Sequence, residues 1–208
     1  MAITIFDHPL ILDKLSRMRR KETSSKDFRE NLNEIGMLMV YEIFRDVKLK
    51  EISIKTPTVK KAKGYTIETP VVLVPIIRAG LGMVDGIQKI IPTAKIAHVG
   101  LYRDEVTMKP VEYYAKAPAD IDSSYTIVVD PMLATGGSAV KAIDIIKSKG
   151  AKNIKFVGLV GVQEGIDALQ KAHPDVDIFL ACKDPILNKH GYIEPGMGDA
   201  GDRIFGTK

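Results

Sequence analysis

Cysteine is nearly absent: Cys182 is the single one in 208 residues. That excludes an intrachain disulfide framework and a cysteine-rich zinc site. Its place after the apolar stretch VDIFLA predicts a small core residue rather than a nucleophile. Long apolar runs are missing too, since none reaches the ~18 residues that span a bilayer. The opening MAITIFDHPLILDKL lacks the basic start and the small-residue cleavage site of a secretory signal, so a cytoplasmic location is the expectation. A concentrated basic face is also lacking. The net charge of +4 is mild and spread among 26 acidic residues. The densest basic cluster, Lys60, Lys61 and Lys63, reads as a solvated loop. Small anionic substrates fit this balance better than nucleic acid or a membrane surface.

Neither an internal repeat nor a low-complexity linker divides the chain. Its length, with 45% hydrophobic and 27% charged residues, suits one soluble domain with a substantial core. From Ser24 to Val47, apolar residues recur at Phe28, Leu32, Ile35, Met39, Ile43 and Val47. Those steps of three and four predict an amphipathic helix capped by Ser24 or Ser25. Its stripe, with Met37 beside it, is expected to pack in the core, and a subunit contact is the second use. VKLKEISIKTPT alternates and predicts an exposed strand.

The remainder changes style. VVLVPII, AKIAHVGLY, YTIVVD, IKFVGLVGV and VDIFLAC are short aliphatic runs of the kind a parallel sheet buries on both faces. Helical patterns lie between several of them, in GLGMVDGIQKII, SAVKAIDIIKSKG and EGIDALQKAHP, with Gly150 and Pro174 at expected stops. Strand alternating with helix predicts an α/β fold, a central parallel sheet flanked by helices, behind an N-terminal helical arm of about residues 1–50. Residues 103–125 break the alternation. RDEVTMKPVEYYAKAPADIDSSY is polar and long for a plain connection, and predicts a hairpin or loop acting as a lid.

The densest chemistry is in YTIVVDPMLATGGSAVKAIDII. With YTIVVD as a strand, Asp130 stands at its carboxyl end, where open parallel sheets bind ligands. ATGGS then puts Gly136 and Gly137 at a helix N-terminus. There backbone N–H groups can approach an anion closely, and the helix end adds partial positive charge. Thr135 and Ser138 add hydroxyl donors. The pattern describes a cradle for a monophosphate. It lacks the Gly-Lys-Ser/Thr of an ATP-binding loop and the G-x-G-x-x-G spacing of dinucleotide sites.

Several aliphatics, an acid and ATGGS resemble the phosphoribosyl diphosphate signature of the type I phosphoribosyltransferases. VPIIRAGLGMVDG resembles the pyrophosphate-binding loop of that superfamily. HGYIEPGMGDAGDRIFGTK, together with DPMLATGGS and HPLI, is similar to the uracil phosphoribosyltransferase family, and the likeness runs over essentially the whole chain. The resemblance implies a type I phosphoribosyltransferase fold in a single domain, with a lid at about 103–125 and a C-terminal, uracil-binding hood segment at about 185–208. It implies transfer of the 5-phosphoribosyl group from 5-phospho-α-D-ribose 1-diphosphate to uracil, giving UMP and diphosphate in pyrimidine salvage.

The same resemblance supplies roles. Asp130, Pro131, Met132, Leu133, Ala134, Thr135, Gly136, Gly137 and Ser138 would hold the ribosyl phosphate, with Asp130 accepting from ribose hydroxyls. Arg78 and Arg103 match the arginines that bind pyrophosphate, and a guanidinium fork suits phosphate oxygens. Ile193, Gly198, Asp199 and Ala200 would contact uracil, and Asp199 would also lie against the ribosyl diphosphate. Arg78, Arg103 and Asp199 are the expected catalytic groups. Uracil presents an N3–H between two carbonyls, which fixed backbone groups can tell from cytosine. Mg2+ should accompany the diphosphate through substrate oxygens and waters, with no protein metal ligand named. Many relatives carry two adjacent acids in this signature, whereas here Pro131 follows Asp130. His190 opens the base motif, and Tyr192 could pack on sugar or base or fill the core. Family members are generally dimers or larger and some respond to GTP. A homodimer or higher oligomer is therefore expected, and GTP is a candidate effector, although no separate motif for it stands in the sequence. Two other readings stay open at this point. One is a phosphoribosyltransferase-fold regulator of pyrimidine genes that binds RNA, which would want a basic face. The other is an enzyme of the same fold acting on hypoxanthine or adenine, which the C-terminal motif opposes.

Overall fold

Periodicity and caps decide the elements. The structure is a computed structural model that describes residues 2–104 and 110–207. The chain begins with strand β1 (Ile3–Ile5), helices α1 (Pro9–Arg19) and α2 (Ser25–Ile43), and a hairpin of β2 (Lys50–Ile54) with β3 (Ala62–Thr66). Next come β4 (Val71–Ile77), α3 (Leu81–Ile90), β5 (Lys95–Ile96), β6 (His98–Arg103) and β7 (Pro110–Lys116). The second half gives β8 (Tyr125–Val129), β9 (Met132–Leu133), α4 (Gly137–Ser148), β10 (Asn153–Gly161), α5 (Gln163–Ala172) and β11 (Asp177–Lys183). The chain closes with β12 (Ile186–Leu187), β13 (Ile193–Glu194) and α6 (Ala200–Phe205).

Ser24 caps α2, its hydroxyl accepting the Asp27 N–H at 3.1 Å. The stripe read from the sequence is the buried face: Phe28, Leu32, Ile35, Met39 and Ile43 are all buried. Each contributes roughly 1.5–3 kcal/mol by leaving water. Val47 falls beyond the helix, which ends at Ile43.

The main sheet runs β1-β11-β10-β8-β4-β6-β7, with β5 beside β4 and β9 beside β10. All its pairings are parallel except β6 with β7. Parallel neighbours need crossovers, which α3, α4 and α5 provide. Val71 and Leu73 face the layer of α1, α2 and α3, while Val72, Val74 and Ile76 face that of α4 and α5. With both faces covered, the strand has no place for a polar residue.

Some expectations are refined. AKIAHVGLY is two strands along β4: Lys95 pairs with Val72 and Val99 with Ile76, with Ala97 between them donating its N–H to Leu73 O at 2.8 Å. The N-terminal arm is not only helical, because β1 extends the sheet beside β11, Ile3 opposite Ile178. Cys182 is half-buried rather than in the core, with Arg19 and Asp184 beside its sulfur. Of the segment 103–125, Pro110–Lys116 pairs antiparallel with β6, and Ile121 and Ser124 are buried. The Arg103 side chain and residues 105–109 lie outside the described residues. Lys60, Lys61 and Lys63 are exposed around the β2–β3 hairpin, with Lys63 paired to Glu51. Among the described residues, no helix is long and apolar enough to cross a membrane.

The chain leaves β4 toward β6 and leaves β8 toward β10, on opposite sides of a neighbouring pair. Such a divergence opens a crevice beyond the carboxyl ends of the two strands.

Candidate active site

Pro75 of β4 lies opposite Val129 of β8. Just beyond, the turn of Arg78 to Gly80 meets the end of β8 at Val129. A Cβ on Gly80 would lie 2.3 Å from the Val129 carbonyl oxygen and 2.6 Å from the Ile76 nitrogen, so glycine is what lets the two strand ends come together. The Asp130 N–H donates to Val157 O at 3.1 Å, and its Oδ1 accepts the Met132 N–H at 3.2 Å.

Asp130 borders a cavity of about 330 Å³. One wall is Met132 to Ala139; the other is His190 to Ile193 and Gly198 to Gly201, with Ala79 between. Gly136 caps α4 at φ +80°, in the left-handed region, where a Cβ would also meet Gly165 O and Ala168 Cβ, each at 2.9 Å. A glycine cap offers no side chain to the first-turn N–H groups of α4. The Gly137 N–H makes only a long contact to Thr135 Oγ1 at 3.5 Å, and these groups lie at the positive end of the helix dipole, along a stretch that lines the cavity. Thr135 and Ser138 bring hydroxyls to the same wall.

Across the cavity, Asp199 caps α6, its Oδ1 accepting the Asp202 N–H at 2.9 Å. Burial raises the Asp130 carboxyl to about 7; the Met132 N–H opposes the shift and the nearby Asp199 carboxylate adds to it. A ligand that brings hydroxyl donors or a cation would favour the charged form.

The sequence-predicted residues converge. Asp130, Met132, Leu133, Ala134, Thr135, Gly136, Gly137 and Ser138 share the cavity with Ile193, Gly198, Asp199 and Ala200. Two expected residues stand off it. Pro131 is buried in the sheet, its carbonyl accepting the Leu159 and Val160 N–H groups at 3.1 and 3.0 Å. Arg78 is half exposed at the edge, its Nη2 3.3 Å from Asp202 Oδ1 and its Nη1 3.5 Å from Thr207 Oγ1. Ala79, Ala139 and Gly191 line the cavity without having been singled out, and Gly201, His190 and Tyr192 join them. Small residues within the quoted motifs were the available signal: Ala79 follows Arg78, and Ala139 follows Ser138.

A family model described as uracil phosphoribosyltransferase matches residues 5–207. The chain belongs to the uracil phosphoribosyltransferase family. It is 69% identical over its full length, and over the full length of the relative, to a uracil phosphoribosyltransferase of Mycoplasma capricolum. A solved structure, the AQ2163 protein from Aquifex aeolicus, has a TM-score of 0.92 and 34% identity, covering 98% of this chain and 97% of that one. A hypoxanthine-guanine phosphoribosyltransferase from Bacillus anthracis shares the fold alone, at a TM-score of 0.51 and 16% identity over 76% of this chain and 79% of that one. The architecture is that of the type I phosphoribosyltransferases, and the family places the chain among the pentosyltransferases of pyrimidine salvage.

Proposed function

We propose that this cavity transfers the 5-phosphoribosyl group of 5-phospho-α-D-ribose 1-diphosphate to N1 of uracil, giving UMP and diphosphate. One observation carries the reading. A single cavity has the phosphate cradle of Thr135 to Ser138 on one wall and the loop of Ile193 and Gly198 to Ala200 on the other. The N–H groups at the start of α4 hold the 5-phosphate. Asp130, at the end of β8, accepts from the ribose hydroxyls, and the ionised form that this favours is the better acceptor. As the C1–oxygen bond breaks, negative charge gathers on the departing diphosphate. Arg78 exchanges its long contacts to Asp202 and Thr207 for those oxygens, and Arg103, at the end of β6, is the second guanidinium assigned to them. The ribose becomes oxocarbenium-like as N1 of uracil bonds to C1, and the N1 proton passes to solvent.

Asp130 and Asp199 are two carboxylates on one cavity whose repulsion adds to the shift at Asp130. That pairing fits a divalent cation shared with the substrate, which they would hold through its waters. Magnesium, when bound with the diphosphate, would supply neutralising charge.

Asp199→Asn isolates the charge of that residue, because the amide oxygen can still accept the Asp202 N–H. The expected result is a fall in kcat/KM of roughly 100-fold with the melting temperature unchanged. Normal kcat/KM would remove the Asp199 carboxylate from the mechanism.

Initial rates with uracil, cytosine, adenine and hypoxanthine in parallel, each with phosphoribosyl diphosphate and magnesium, test the reading. UMP from uracil alone is expected. Product from a purine would overturn the assignment of the C-terminal loop, and no product from any base would overturn the activity.

A further inference from the structure

The loop between Ile193 and Gly198 has one charged side chain, Glu194, which accepts from Asn188 Nδ2 at 2.7 Å, and its backbone is fastened from outside. Arg19, in the last turn of α1, pairs in bidentate fashion with Asp184, just after β11: Nη1 to Oδ2 and Nη2 to Oδ1, both at 2.7 Å. The Asp184 side chain is only 5% exposed and that of Arg19 20%. Both groups then close on one residue. Asp184 Oδ2 accepts the Gly196 N–H at 2.9 Å, and Arg19 Nη1 donates to Gly196 O at 2.7 Å. Gly196 sits at φ +55°, where a Cβ would fall 2.1 Å from the carbonyl oxygen of Ile193, a cavity residue. The next residue is held as well. Arg203 Nη1 donates to Met197 O at 2.9 Å, while its Nη2 donates to Arg20 O at 2.7 Å. Neither Arg19 nor Asp184 lines the cavity.

A buried ion pair adds little net stability, because desolvation offsets the Coulomb gain. What this one does is geometric. Burial opposes the charged form of Asp184, yet the bonds from Arg19 and Gly196 outweigh it and hold the carboxyl below its ordinary value. The pair is therefore a fixed fork gripping both polar groups of one peptide residue, two residues before Gly198.

We propose that Arg19 and Asp184 are positioning residues for the base. They set the distance between Ile193 and Gly198 to Ala200, and through it the affinity for the pyrimidine and its discrimination from cytosine, without touching substrate. The inference rests on the uracil reading of the same cavity. It locates control of base recognition in contacts made by the end of α1.

Two variants of the full chain test it. Arg19→Lys keeps the charge but cannot bond both carboxylate oxygens and the Gly196 carbonyl together. The double variant Arg19→Met with Asp184→Asn leaves no unpaired buried charge and retains an acceptor for the Gly196 N–H. For both, KM for uracil should rise about 10-fold or more, with KM for phosphoribosyl diphosphate within about twofold of the parent. Amide hydrogen exchange should quicken at Gly196 to Gly198 and stay unchanged in α4 and β8. A rise in both KM values together, or unchanged exchange in the loop, would overturn the proposal, as would a general loss of stability in both variants. The exchange arm needs no turnover. If the parent protein failed to convert uracil, the reading of the cavity would fall, while exchange would still decide whether the fork holds the loop.

Discussion

Asp130→Asn is expected to cut kcat/KM roughly 100-fold or more and, at the same time, to make the unliganded protein more stable at pH 8. Both effects follow from one placement. The asparagine oxygen can keep the Met132 N–H, so the turn after β8 survives. Its amide has one acceptor where the carboxylate has two, and it carries no charge to meet ribose hydroxyls or a cation. The stability effect comes from burial beside Asp199, which raises the Asp130 carboxyl to about 7 in the folded chain. Between an ordinary carboxylate value of about 4 and that raised value, the folded state binds more protons than the unfolded one. The contribution of this group to stability therefore falls as pH rises through that window. Asparagine removes the dependence. Parent and variant should melt alike near pH 4, and the variant should be more stable at pH 8 by on the order of 1–2 kcal/mol, the cavity edge tempering the full shift. Melting curves at the two pH values check this. An equal difference at both would contradict the account of Asp130, whatever the activity.

The second large effect is on the fold. Gly80→Ala should cost about 3 kcal/mol or more and lower the melting temperature by roughly 6–12 °C. The backbone at Gly80 is helical, with φ −58° and ψ −26°, so alanine suits its local conformation. The loss is steric. The added Cβ would stand 2.3 Å from Val129 O, 2.6 Å from Ile76 N and 2.9 Å from Ile76 O, all of them backbone atoms of the two central strands. No rotamer relieves that, so β4 and β8 must part and the Asp130 turn must shift with them. Gly137→Ala is the control, since its Cβ would meet nothing nearer than Thr135 Oγ1 at 3.8 Å. Thermal unfolding of the pair checks the prediction, and equal melting temperatures would contradict it.

Much of this could be read from the sequence because the determinants are local. VVLVPII and the IVV of YTIVVD are apolar at every position because each face of the sheet is covered by helices. ATGGS announces the start of α4 because a left-handed cap at Gly136 needs glycine. The cavity residues of the C-terminal segment followed from motif likeness, and the fold brings them to the cradle. What escaped depends on contacts between distant parts of the chain. β1 has three residues and an exposed-intermediate-exposed pattern, and it is a strand because β11 offers an open edge. Arg19 and Asp184 are 165 residues apart. Nothing near either announces the other. Pro131 sits inside a motif whose other members line the cavity, yet between β8 and β9 its carbonyl takes the N–H groups of Leu159 and Val160 on distant β10 and is held in the sheet. The shift at Asp130 arises chiefly from burial, with a smaller addition from a carboxylate contributed by the far end of the chain.

The central claim is that one cavity takes both ends of a pyrimidine nucleotide. A crystal structure of the protein with UMP tests it most directly. The account predicts phosphate oxygens within hydrogen-bond distance of the backbone N–H groups of Thr135 to Ser138, ribose hydroxyls on Asp130, and the uracil edge against Ile193 and Gly198 to Ala200. A phosphate bound away from the start of α4, or a base turned away from the C-terminal loop, would contradict it.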